Sequence, residues 1–199
     1  MRIIAGMFRS RTLAAPAGMA TRPTSDRLRE TLFNVLAPRI AGAAFLDLYA
    51  GSGAVGLEAI SRGAASVTFV ERAPAALSAL KANLTRLGVP KGFHIQPGSV
   101  AAFLRKGTQG AAAPGAGFDL VFLDPPYDET REYAATLGLL GSAVVSLLSP
   151  TALIIAEHRK KDHLDERYGA LERIRLLEQG DAGLSFYTAG VTIASDRKA

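Results

Sequence analysis

Phe45-Leu46-Asp47-Leu48-Tyr49-Ala50-Gly51-Ser52-Gly53-Ala54-Val55-Gly56 decides the fold of this chain. Its first four residues, apolar except Asp47, read as a short buried strand. Glycines then follow in the pattern Gly51-x-Gly53-x-x-Gly56. Residues 54–62 read as a helix closed by Gly63. Strand, glycine turn and helix open a nucleotide-binding βαβ unit, because glycines let the backbone turn tightly and approach a ligand at a helix N-terminus. Glu71 lies twenty residues beyond Gly51, where a second strand ends, and a carboxylate there suits a ribose diol. Taken alone, this pattern fits a dinucleotide fold.

Outward from this stretch the same alternation continues. Residues 67–70 read as a strand, 74–87 as a helix closed by Gly88, 93–96 as a strand and 99–106 as a short helix. Residues 107–117 form a Gly/Ala/Pro loop. Residues 118–123 read as the fourth strand, 130–148 as a helix and 151–156 as the fifth strand. Two β-like runs around 171–177 and 183–193 close the chain as a hairpin. Upstream, residues 2–16 suggest a short strand or hairpin, and 24–37 a helix ended by Pro38. The expectation is an α/β, Rossmann-like, mostly parallel seven-stranded sheet with an antiparallel C-terminal hairpin and a small N-terminal extension. Residues 1–39 form the arm and helix, 40–193 the main domain, and 194–199 a tail.

Composition narrows the chemistry. The chain has 199 residues and no cysteine, which excludes disulfides, thiolate metal sites and cysteine nucleophiles. Its three histidines, His94, His158 and His163, lack metal-ligand spacing, so no metal is expected. Residues 1–39 hold seven arginines against Asp26 and Glu30, an excess equal to the formal net charge of +5. Arginine forks match phosphates and stack on bases, so the arm points to a polyanion. A solvated basic arm or a transit peptide is the plain alternative. Residues 134–156 are uncharged, but Ser149-Pro150 divides them into a helix-like and a strand-like piece, so no membrane span is expected. With no signal peptide evident, a cytoplasmic location is expected.

Two features tilt the glycine loop away from a dinucleotide. Asp47 adds negative charge where a pyrophosphate would lie. It suits a ligand carrying an ammonium and a sulfonium, such as S-adenosylmethionine. The alternative is a structural acid capping the loop amides. The second feature is Asp124-Pro125-Pro126-Tyr127, directly after the fourth strand. A carboxylate and a proline carbonyl can accept both hydrogens of an exocyclic amino group, while the tyrosine stacks on its ring.

In these motifs the chain resembles the class I S-adenosylmethionine-dependent methyltransferases. More narrowly, it resembles the bacterial small-subunit rRNA guanine-N2 methyltransferase D family, over nearly its whole length. Arg2-Ile3-Ile4-Ala5-Gly6 is similar to that family's N-terminal strand, and Asp47–Gly56 to its cofactor loop. Arg22-Pro23-Thr24-Ser25-Asp26-Arg27-Leu28-Arg29-Glu30-Thr31-Leu32-Phe33-Asn34 is similar to its most distinctive block. The resemblance implies methylation of a guanine N2 in 16S rRNA, of the guanine-966 type. It further implies a 30S particle, assembled or assembling, as partner; a monomer is only the default expectation. Asp124, Pro125, Pro126 and Tyr127 would be catalytic. Asp47, Tyr49, Ala50, Gly51, Ser52, Gly53, Glu71, Arg72, Ser99, Val100, Thr24 and Asp124 would hold the cofactor, with Thr31 as an alternative to Thr24. Arg9, Arg11, Arg22, Arg27 and Arg29 would bind RNA. One departure stands out. Many relatives carry Asp or Asn after the third strand to meet the adenine amino group, and here Gly98-Ser99 occupies that place.

Other readings stay open. A DNA adenine-N6 or cytosine-N4 methyltransferase would use the same tetrapeptide, although the chain shows no large target-recognition domain. A non-catalytic RNA-binding protein on a methyltransferase scaffold is of a different class, and the intact Asp124 and glycine loop speak against it. An NAD-binding oxidoreductase is the most distant.

Overall fold

The computed structural model describes residues 1–15, 25–107, 117–126, 130–142 and 147–189. The alternation read from the sequence folds as one eight-stranded sheet in the order β3-β2-β1-β4-β5-β8-β7-β6. Strands β1 (Ala44–Leu48), β2 (Ser66–Glu71), β3 (Phe93–Pro97), β4 (Phe118–Leu123) and β5 (Leu148–Arg159) run parallel. β6 (Arg167–Tyr168), β7 (Leu171–Gln179) and β8 (Ala182–Ala189) complete the sheet with antiparallel pairing. The eighth strand is the two-residue β6, too short to leave a periodic signal.

Helices cover both faces. α1 (Asp26–Ile40), α2 (Ala54–Ser61) and α3 (Pro74–Leu87) pack on one apolar cluster with Phe45, Phe69, Leu120, Phe122 and Ile155. α4 (Val100–Gly107) and α5 (Arg131–Ser142) pack on the other, with Leu46, Leu48, Val121, Leu123 and Ile154. Successive residues of β1, β4 and β5 therefore feed opposite layers, as strands buried on both faces require. No helix among the described residues is long and apolar enough to cross a membrane.

Two prolines act differently from expectation. Pro38 lies inside α1, which runs on to Ile40. Two residues from the helix end it disturbs only the last turn, where the lost N–H bond and the crowding of the carbonyl four residues back have little helix left to break. Pro150 lies inside β5, which starts at Leu148. The register jumps from Phe118↔Leu148 to Leu120↔Leu153, and this irregularity holds Pro150 where no ladder donor is needed.

The N-terminal segment folds as a hairpin closed by an Arg2↔Thr12 bridge. It docks on α2 through the buried Glu58, whose carboxylate accepts from Ile4 N at 2.7 Å and Ala5 N at 3.0 Å. Gly6 (φ 83°) lies so close to the end of α2 that a Cβ would stand 1.9 Å from the Ser61 carbonyl oxygen. Only glycine permits that contact.

Candidate active site

The C-terminal ends of β1, β2 and β4 carry the loops that the sequence singled out. At β1 the chain turns through Tyr49 (φ 61°), Gly51 (φ 56°) and Gly53 (φ 82°) into α2. Gly53 N donates to Ala50 O at 2.8 Å, which closes the turn. The left-handed backbone at Gly53 favours glycine, and a Cβ there would also meet Leu80 Cδ1 of α3 at 2.3 Å, so that side chain would have to shift. At Gly51 and Gly98 a Cβ would meet nothing within 4 Å, so both loops border open space.

Glu71 is buried at the end of β2 and ties the loops together. One carboxylate oxygen accepts from Gly51 N at 2.8 Å, and the other from Arg72 N and Ala73 N at 2.8 and 2.7 Å. A carboxylate has about four acceptor positions, so capacity remains on the oxygen facing Gly51. Asp47 is 2 % exposed and accepts from Gly56 N at 2.9 Å, the loop-capping bond weighed above. Burial, and secondarily the charge of Glu71, push its carboxyl up to about 7, while the Gly56 bond works the other way.

Because the native pKa of Asp47 is raised, the folded protein binds more protons than the unfolded chain between about pH 4 and pH 7. This contribution is complete below about pH 4 and is lost as pH rises to about 7. Asp47→Asn removes it while keeping an acceptor for Gly56. Thermal melts from pH 5 to 8 should therefore show the wild type losing stability relative to Asp47→Asn as pH rises. Parallel curves would overturn this assignment.

At the end of β4, Asp124 is partly exposed, Pro125 buried and Pro126 exposed. Burial of the carboxyl, followed by the charges of Glu157 and Asp47, holds Asp124 well above the usual carboxylate range. Glu157 was not singled out by the sequence. It is 1 % exposed and follows Ala156, the partner of Leu123, so it stands beside Asp124 on the next strand. The available signal was an acid directly after an apolar run, at the level of the Asp124 motif. Asp47, Asp124 and Glu157 thus form a row of acids across β1, β4 and β5, a field that favours a cationic ligand.

Asn83 was also missed. It is fully buried, donates to Ser52 O at 3.0 Å, and exchanges bonds with residue 14 through Ala14 N (2.7 Å) and Ala14 O (3.1 Å). It couples the N-terminal segment to the glycine loop. Its signal was a polar residue at an apolar-periodic position of α3, between Ala79, Leu80 and Leu87.

The remaining expected residues divide. Ala50, Gly51, Ser52 and Gly53 form the loop itself. The side chain of Tyr49 turns onto α5, its hydroxyl 2.7 Å from Glu132 Oε2 and 2.6 Å from Thr136 Oγ1, leaving its backbone in the loop. Arg72 likewise borders the site through its backbone. Ser99 is exposed, and its hydroxyl accepts from Ala102 N at 3.3 Å at the start of α4, next to the buried Val100. The Thr31 hydroxyl lies 3.1 Å from Arg27 O and 3.0 Å from Gln179 Oε1. Thr24, Arg22 and Tyr127 lie outside the described residues.

One expectation is corrected. Arg29, read as an RNA contact, is fully buried. Its guanidinium lies 3.0 Å from Asp26 and 3.7 Å from Glu58, and it donates to Arg2 O. Burial opposes its charge, and Glu58 and Asp26 offset that cost. It lies on the inner face of α1 with Leu32, Phe33 and Leu36, out of reach of a phosphate. Arg9, Arg11 and Arg27 are exposed.

The mostly parallel sheet in this strand order, with a glycine cradle after β1 and a carboxylate closing β2, is the fold of the class I S-adenosylmethionine-dependent methyltransferases. The chain is 37% identical to the ribosomal RNA small subunit methyltransferase D of Haemophilus influenzae, over 94% of its own length and 91% of that protein. It is 42% identical to the Escherichia coli K12 protein of that name, over 64% of this chain and 60% of that one. The solved structure of the Escherichia coli protein yhhF superposes with a TM-score of 0.78 at 36% identity, covering 96% of this chain and 99% of the other. The model of the family described as conserved hypothetical protein 95 matches residues 1–188. The chain belongs to this family, alongside the ribosomal RNA small subunit methyltransferase D proteins.

Proposed function

We propose that the protein transfers a methyl group from S-adenosylmethionine to the exocyclic N2 of a guanine in small-subunit ribosomal RNA. The observation that carries this reading is Asp124-Pro125 at the end of β4, beside the glycine cradle and within the row of acids. Support for the cofactor comes from the donor set. Glu71 keeps acceptor capacity for a ribose hydroxyl, and Gly51 and Gly98 border open space. Asp47 is a buried acid whose ionisation a cation would favour. Ser99 and the Val100 N–H would meet the adenine edge, since a hydroxyl accepting one bond can accept a second. Thr24 would close the methionine end.

S-adenosylmethionine, when bound, supplies an electrophilic methyl group on a sulfonium. The chain's residues then orient the nucleophile. The N2 lone pair of guanine is delocalised into its ring and attacks poorly. Asp124 and the Pro125 carbonyl, by accepting both amino hydrogens, localise that lone pair toward the methyl group. Tyr127 would stack on the base and fix its plane. As the N–C bond forms and the methyl–sulfur bond breaks, with neutral S-adenosylhomocysteine as the leaving product, the amine becomes acidic. One N–H bond then breaks and Asp124 takes up the proton. A carboxyl held above its usual range suits that late proton transfer. The guanine must leave its stack to present N2, so a loop or flipped nucleotide is the expected target. The exposed arginines Arg9, Arg11 and Arg27, together with Arg22, would track the RNA backbone.

The product identifies the reaction. The protein is incubated with radiolabelled S-adenosylmethionine and, separately, 16S RNA, assembled or partly assembled 30S particles, and genomic DNA. Nucleoside digestion should yield N2-methylguanosine from the ribosomal substrate. Label in DNA, or N6-methyladenosine as the main product, would sink the proposal.

A further inference from the structure

An open cleft of about 370 Å³ lies beside the catalytic edge, and none of the roles above uses it. Its walls include Thr130 and Tyr133 from the start of α5, and Lys161, His163, Asp165 and Tyr168 from the segment after β5. The hydroxyl of Tyr133 donates to Glu157 O at 2.9 Å. Glu157 stands beside Asp124 on the next strand, so one wall of the cleft is hydrogen-bonded to the strand that neighbours the Asp124 motif.

Its chemistry is that of a nucleotide site. Lys161 and His163 are exposed and can meet a phosphate. The ring of Tyr168 is partly exposed and held in place, because its hydroxyl accepts from Asp165 N at 2.9 Å and its edge packs on Tyr187. A fixed aromatic face of this kind stacks a base. The exposed Asp165 carboxylate can accept from amino groups on a base edge. Asp162, the other acid among the described lining residues, is paired with Arg159 at 2.8 Å.

The basic tip of the N-terminal hairpin lies on α2 and not on the cleft walls. Residues 6–8 pack against Ser61, at the end of α2 away from the glycine loop. Eight helical residues place that tip about 12 Å along α2 from the cradle.

We propose that this cleft binds a nucleotide flanking the target in the single-stranded RNA substrate, its phosphate on Lys161 and His163 and its base on Tyr168. The inference rests on the RNA reading above. Fluorescence anisotropy with a short labelled single-stranded RNA, across a salt series, tests it with the full chain. Lys161→Ala should reduce the log–log salt slope by about 0.7, one phosphate's share. Tyr168→Leu, which keeps apolar packing on Tyr187, should weaken RNA binding on the order of 10-fold. Both variants should keep the wild-type melting temperature and S-adenosylmethionine affinity. Wild-type RNA affinity and slope in both variants would overturn the proposal. So would variants that bind RNA normally and lose activity only on 30S particles, since the cleft would then meet a ribosomal protein. If the wild type itself neither binds nor methylates RNA, the RNA reading falls instead.

Discussion

Asp124→Ala is expected to lower the methyl-transfer rate at least about 10²-fold while S-adenosylmethionine binding persists. The change removes one acceptor for the amino hydrogens and the group that takes the late proton. The proposed cofactor cradle stands on Glu71, Asp47 and the glycine loop, with which Asp124 shares no hydrogen bond among the described residues. The folded state should not suffer. Asp124 sits between the charges of Glu157 and Asp47, so deleting it relieves like-charge repulsion. Its melting temperature should stay level or rise at neutral pH. Single-turnover kinetics, with calorimetry of cofactor binding on the same preparation, separates these expectations. Near-wild-type turnover would remove Asp124 from the mechanism, and a lost cofactor affinity would recast it as part of the cradle.

The largest stability effect is expected at Glu58. This fully buried carboxylate receives Ile4 N, Ala5 N and Arg62 Nε, and faces the buried Arg29. Arg62 in turn lies over the Phe33 ring, 5.0 Å from its centroid. Glu58→Ala leaves the buried Arg29 with Asp26 as its remaining carboxylate partner and two hairpin amides without their acceptor. Breaking a buried pair from one side costs roughly 3–5 kcal/mol. In a chain of this size the melting temperature should fall on the order of 10 °C. Glu58→Gln should recover only part of this, because it restores an acceptor for the amides and no charge for Arg29. Chemical denaturation measures both. A loss below about 1 kcal/mol would mean the pair behaves as a solvated surface pair.

The two sites differ in how they showed in the sequence. Asp124 was legible because a strand, an acid and two prolines are contiguous, and the chemistry of such a stretch can be read locally. The Glu58–Arg29 pair was hidden because its members lie 29 positions apart on two helices. Arg29 carried a local signal, since it repeats with Leu32, Phe33 and Leu36 on the inner face of α1. The clustering of arginine charge pointed the other way. Net charge over a segment describes a long-range field, whereas helical phase decides which side chain faces water, and here phase prevails. Asn83 and Glu157 were readable in the same limited sense, as polar residues closing or interrupting apolar patterns.

Local order along the chain determined the strand–helix alternation, the glycine turn after β1, the acid closing β2 and the tetrapeptide after β4. Backbone preferences and side-chain period act over a few residues, so these elements follow from neighbours alone. Tertiary structure decided what those neighbours could not. It set Glu157 beside Asp124 through parallel pairing of β5 with β4, and it buried Arg29 against Glu58. It carried the Arg9–Arg11 tip along α2, away from the cradle, and opened a cleft between α5 and the segment after β5. Each depends on chain segments that meet only when the sheet forms, where strand order and layer packing set distance and solvent access.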